Sequence, residues 1–254
     1  RFCEMANAQA SIPQSGFGDT QRRDRWWLQP LLTFLGLSAF IGYSTFRAFY
    51  GQDFLAIEGG TNYLSPFFSP ILYYHPDLSW MNDSLRAAMK AHAWIGPMPE
   101  GVPAWVSPAF LILWAPAGFR FTCYYYRGAY YKAFWADPPS CAVGEPRKSY
   151  WGERSFPLIF QNIHRYFMYL ALLFVVFLSY DVWRATFFED TVTGLESRGI
   201  GVGTIVLAIN VILLGGYTLG CHSLRHLIGG KLNVLHDKPV RRSAHDCVTC
   251  LNRR

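Results

Sequence analysis

FPLIFQNIHRYFMYLALLFVVFLSY, residues 156–180, carries one charge, Arg165, across 25 positions. A helix crosses the hydrocarbon core of a bilayer in about 20 residues, so this stretch reads as a membrane span with an imidazole, His164, about two turns from its start. The same reading extends outward in both directions. Residues 26–46 and 101–119 carry no charge, and residues 199–224 carry none apart from a neutral histidine, His222. The chain is therefore expected to be an all-α, polytopic transmembrane helix bundle with four spans.

Composition agrees. The 254 residues are 51% hydrophobic and 17% aromatic, with a positive mean hydropathy, which is too apolar for an ordinary soluble domain. The expected organisation is a cytoplasmic N-terminal arm (1–25), a transmembrane domain (26–226) that includes an outer segment (51–100), and a cytoplasmic basic tail (227–254). Within the outer segment, residues 59–75 contain Gly59, Gly60, Pro66 and Pro70 among Tyr and Phe. They read as an interfacial or re-entrant segment rather than a fifth helix. No secretory signal peptide is legible in the polar first 25 residues.

Lysine and arginine counts orient the bundle. The arm has four, the 127–154 loop five and the tail from Arg225 onward seven, whereas the two opposite loops have three and two. The positive-inside rule then puts both termini in the cytoplasm. The net charge of +6 follows from that topology, and no nucleic-acid-binding motif accompanies it. A basic face of this kind suits anionic membrane lipid or an acidic partner. Cys123, Cys141, Cys221, Cys247 and Cys250 all fall on the cytoplasmic side or in the inner half of the membrane, where thiols stay reduced. Metal ligation and inert burial are the two readings open to them, and the lone C-x-x-C of Cys247 and Cys250 is weak evidence for zinc.

Histidine and cysteine at membrane depth are costly and usually mark electron, proton or substrate handling. The topology brings Cys123, His164, Cys221, His222 and His226 to one depth, the inner leaflet. A bis-histidine haem b would draw one imidazole from each of two facing helices, His164 with His222 or His226. A Rieske-type 2Fe–2S cluster would take two cysteines on one iron and two histidines on the other. Cys123 and Cys221 end neighbouring spans beside those histidines, and a haem has no need of them. The cluster, held by Cys123, His164, Cys221 and His222, is the preferred expectation and haem b the alternative. In TCYYYRGAYYKAFW, residues 122–135, an aromatic belt explains most of the tyrosines. Hydroxyl and guanidinium donors along apolar walls also suit a quinone, whose two carbonyl oxygens accept hydrogen bonds. His92, on the outer side, reads as structural.

The strings GFRFTCYYYRGAYYKAFW (118–135), PPSCAV (138–143), FPLIFQNIHRYFMY (156–169) and TLGCHSLRHLIGG (218–230) resemble the membrane-anchor, cytochrome b-like subunit of bacterial succinate dehydrogenase, respiratory complex II. The resemblance covers most of residues 118–230. It implies a subunit in the bacterial cell (inner) membrane that docks the succinate dehydrogenase flavoprotein and iron–sulfur subunits and passes electrons to quinone, with no succinate activity of its own. On that reading Tyr124, Tyr125, Arg127, Tyr131 and His226 shape the quinone site, with His226 as a proton relay near neutral pH. Anchors of this type often have five helices, so a fifth would follow Arg254. Relatives with two haems need four histidines at two depths, and here the outer side offers only His92 and His75. The rival readings are a proton- or metal-handling membrane transporter or channel, and a purely structural anchor with quinone at the partner interface.

Overall fold

A computed structural model describes residues 16–50, 54–56, 63–75, 83–103, 105–136, 138–146, 158–189, 196–230 and 237–252. The first 15 residues of the arm, the whole 147–157 stretch and the start of the tail lie outside the described residues, as do the side chains of Tyr125 and Arg127. Three described helices are long and apolar enough to cross a membrane, namely Leu28–Phe49, Ile159–Arg184 and Val202–Leu219.

Helix α1 (Leu28–Tyr50) begins with Pro30 in its first turn, where a missing N–H costs nothing, and ends near Arg47, whose charge suits the negative end of the helix dipole. A short outer segment follows. It pairs β1 (Leu55–Ala56) antiparallel with β2 (Tyr63–Leu64), and β3 (Tyr73–Tyr74) parallel with β4 (Gly96–Pro97), the latter two flanking α2 (Asp83–His92). Phe54, Leu55, Leu64, Phe68, Ile71, Met89 and Ala109 form its core. In the described part of residues 59–75, β2 and β3 flank a 3-10 turn at Pro66–Phe68.

The second expected span is shorter than the apolar run that suggests it. Helix α3 occupies only Phe110–Phe121, because Pro103 and Pro108 keep the preceding residues out of helical geometry. The chain then turns at Cys123, whose N–H donates to the Arg120 carbonyl at 3.3 Å, and continues as α4 (Tyr124–Tyr130) and a π-helical turn, Tyr131–Trp135. A 3-10 stretch, Leu158–Ile163, leads into α5 (His164–Arg184). The hairpin of β5 (Phe187–Glu189) and β6 (Glu196–Arg198) connects α5 to α6 (Val202–Leu219). Two short helices close the chain, α7 (His222–Gly229) and α8 (Pro239–Asn252). The sequence reading leaves the latter as a basic tail; in the structure it is a helix packed on α6 and α7.

Contacts divide the chain into two units, residues 1–44 with 120–162 and residues 45–119 with 163–254. In the first, the arm is stitched to the 140–144 segment. Gly18 N–H donates to the Gly144 carbonyl and Gly144 N–H to the Asp19 carbonyl, at 3.0 and 2.9 Å. Thr20 adds a bond to the Ala142 carbonyl, and Arg22 bonds to Ser140 and Cys141. In the second unit α5 packs along α6 and against α7, over a core of Phe119, Met168, Ala171, Cys221, Leu224 and Val248. Large apolar side chains on the outer faces of α1 and α6, among them Leu32, Phe40, Ile212 and Leu213, stay exposed. A hydrocarbon surround makes that favourable, since lipid tails are as apolar as the side chains.

Helices α3 and α5 approach through Gly118, where an added Cβ would lie 2.2 Å from the Phe167 ring. Gly118→Ala is expected to force this pair apart, at a cost of about 1–3 kcal/mol. Thermal unfolding of the detergent-solubilised complex should show a lowered midpoint, and an unchanged midpoint would mean that Phe167 swings aside freely.

Candidate redox site

The site begins with a break in the chain. Helix α6 ends at Leu219, Gly220 caps it, and Cys221 sits in extended conformation as the N-cap of α7, with φ −63° and ψ 133°. That reversal turns the Cys221 side chain into the bundle, where it is 9% exposed. Opposite it is His164, the first residue of α5 and 7% exposed. Its Nε2 lies 3.3 Å from Cys221 Sγ.

Two further contacts fix the imidazole. The Phe119 ring stacks on it at 4.9 Å with a 10° interplanar angle, and the Phe119 backbone hydrogen-bonds the ring. A histidine held by a backbone group while one nitrogen faces a sulfur is oriented as metal-ligating imidazoles commonly are. Nitrogen and sulfur are also the donors that iron–sulfur and zinc sites use.

His222 takes a different course. Adjacent to Cys221 in the chain, it is exposed and turned to His226, one helical turn on, with the two Nε2 atoms 3.0 Å apart and the rings edge-on. Partial burial holds its pKa below the usual histidine value, and the charges of His226 and Arg225 act in the same direction. The pair thus shares a hydrogen bond in which one ring donates and the other accepts, which requires at least one neutral ring.

The sequence-predicted donors therefore gather as two pairs, His164 with Cys221 and His222 with His226. Among the described residues no group of three or more His, Cys, Asp and Glu stands together as a metal site. Of the four-ligand set expected from the sequence, the structure brings His164 and Cys221 together and sets His222 against His226. Cys141, Cys247 and Cys250 are exposed free thiols.

In the first unit, the tyrosine-rich exit of α3 is organised by Arg120. Its Nε donates to the Tyr130 hydroxyl at 3.0 Å, and its guanidinium lies 4.6 Å from the Tyr126 ring centre and 5.9 Å from that of Phe40. The rings of Tyr126 and Tyr130 stack at 5.9 Å, and those of Tyr131 and Trp135 are 5.5 Å apart. Tyr124 is 67% exposed. Arg120 escapes the sequence reading, although a lone arginine interrupting an apolar run is a signal that could have found it.

At the far end of α5, Asp181 accepts a hydrogen bond from the Ser69 hydroxyl, beside a pocket lined by His92, Trp94, Phe177 and Arg184. Burial, and secondarily the Arg184 charge, depress the His92 pKa. His75 Nε2 is bonded to the Val106 carbonyl at 2.8 Å, a structural contact.

Apolar helices bearing inward-facing polar side chains define a helical membrane subunit. A family model of the actinobacterial succinate dehydrogenase subunit SdhC matches residues 28–254, and the chain belongs to that family. A chain of the Mycobacterium smegmatis Sdh1 complex in the apo form is similar at 42% identity, with a TM-score of 0.76, over 92% of this chain and 81% of that one. No curated protein matches. Membership in this family sets aside the transporter reading and places the chain in an oxidoreductase complex.

Proposed function

We propose that this subunit docks the flavoprotein and iron–sulfur subunits of succinate dehydrogenase at the bacterial inner membrane and passes electrons from succinate to quinone through a redox centre seated on His164 and Cys221. The chain on its own has no succinate activity. One observation carries the reading: a buried imidazole nitrogen 3.3 Å from a buried thiol at the end of apolar helices. Such groups are expensive there unless they serve a purpose.

The SdhC family fits haem b, and membership alone does not choose between haem and a two-iron cluster. The donor set favours the cluster. A bis-histidine haem needs an imidazole facing His164 Nε2, and that nitrogen faces the sulfur of Cys221. A Rieske-type 2Fe–2S centre takes two thiolates and two imidazoles. His164 and Cys221 are one of each, while Cys123 and His222 enter as the remaining pair on the sequence reading alone. When bound, the centre supplies one-electron transfer. The protein's part is to hold the His164 ring against Phe119, which packs with Cys221 in a core that includes Met168 and Leu224.

Quinone is assigned to the aromatic exit, with Tyr124, Tyr125, Arg127 and Tyr131 as wall and donors and His226 as proton relay. Arg120 supports that assignment. By donating to the Tyr130 oxygen it leaves the phenol proton to be given to a carbonyl. The arm stitched to the 140–144 segment through Thr20 and Arg22 supports a docking role for this region toward the iron–sulfur subunit on the cytoplasmic side.

Three outcomes are expected. A cysteine introduced in the 127–154 loop should react with an impermeant maleimide from the cytoplasmic side only; labelling from outside would invert the topology. Tyr131→Phe should raise the quinone KM about fivefold if it removes one neutral hydrogen bond, and an unchanged KM would leave Tyr131 in the aromatic belt. His164→Ala with Cys221→Ser should abolish electron flow to quinone while succinate oxidation by a soluble artificial acceptor persists. Paramagnetic resonance of the reduced wild-type complex should show one two-iron signal more than the soluble subunits account for. A b-type haem band without that signal would defeat the cluster.

A further inference from the structure

Helix α8 lies far in sequence from the break at Gly220–Cys221, yet one stripe of its side chains holds that break. Arg241, His245, Val248 and Asn252 are spaced four, three and four apart, which puts them on one face of a helix. Each meets a successive part of α7. Arg241 donates through Nε and Nη2 to the Ile228 carbonyl at 3.1 and 2.8 Å. His245 Nε2 accepts from Arg225 Nε at 3.3 Å, and Val248 is buried in the cluster with Cys221 and Leu224. Asn252 Nδ2 donates to the Gly220 carbonyl at 2.7 Å. The stripe thus runs antiparallel to α7 from its end back to its start.

The last contact falls at the residue before Cys221. Carbonyls at a helix end lack an intrahelical partner, and a side-chain amide satisfies this one. The approach is also close: a Cβ on Gly220 would stand 3.2 Å from the Leu251 carbonyl oxygen and 3.1 Å from that of Gly216, so any larger residue here would make the α8 terminus give by a few tenths of an ångström. Cys247 and Cys250 project from the other side of α8 and are exposed, which separates the C-x-x-C from this grip.

We propose that α8 is a latch on the α6–α7 break, and that Asn252 is a positioning residue which, through the Gly220 carbonyl, sets where Cys221 presents its sulfur to the redox centre. The proposal rests on the seat at His164 and Cys221. Asn252→Leu removes the donor while keeping a side chain of four heavy atoms branched at Cγ. In the purified whole complex, amide hydrogen exchange at residues 220–224 should quicken about tenfold, and the reduction potential and paramagnetic line shape of the membrane-subunit centre should both change. If this variant fails to assemble, Asn252→Ala serves with the same readouts. Wild-type exchange in the variant would overturn the latch, whatever the potential does. Faster exchange with an unaltered potential and line shape would overturn the positioning role and leave α8 a structural clasp. If the wild-type complex carries no metal or haem in this subunit, the redox seat itself fails, whereas the exchange measurement still decides the latch.

Discussion

The buried part of the candidate site follows from one constraint: polar groups buried at the ends of apolar helices have no water to turn to and must find partners within the protein. The α6–α7 break creates several such groups at once, the carbonyls of Thr218, Gly220 and Cys221 and the Cys221 thiol. Each is met. Cys221 N–H donates to the Thr218 carbonyl, Arg225 N–H to the Cys221 carbonyl and the Asn252 amide to the Gly220 carbonyl, and the thiol contacts His164. A break satisfied this fully can be held in a single geometry, and a redox centre depends on ligands that do not wander.

The spans were legible because length and lack of charge are all that a bilayer crossing demands. The second was overestimated for a local reason. Hydropathy does not register that Pro103 and Pro108 keep the chain from entering a helix until Phe110. The His164–Cys221 meeting was legible in depth, since both ends of the argument rest on counting residues along helices. What counting could not supply was azimuth. His222 follows Cys221 immediately, but the N-cap geometry sends the thiol inward and the imidazole outward to His226. Helix α8 was illegible for a related reason. A basic, weakly apolar segment does not announce a helix unless the surface it must match, here the exposed backbone of the break, is already known.

Phe119 shows how the second unit ties its long helices to the site. Its ring stacks on His164, lies edge-on to Tyr217 of α6 at 5.7 Å, and belongs to the same core as Met168 and Val248. One aromatic on α3 thereby touches α5 and α6 and shares a core with α8. Gly118 beside it permits the approach, because any side chain there would occupy the space of the Phe167 ring. Small and large residues in succession are what close helix packing in membranes uses in place of a hydrophobic driving force.

The two histidine pairings divide by environment. His164 is buried and faces a sulfur, whereas His222 and His226 are exposed and face each other. The shared hydrogen bond needs one ring to accept, and the lowered His222 pKa favours its neutral, accepting form. A second proton would leave two donors and no acceptor, and the rings would have to part.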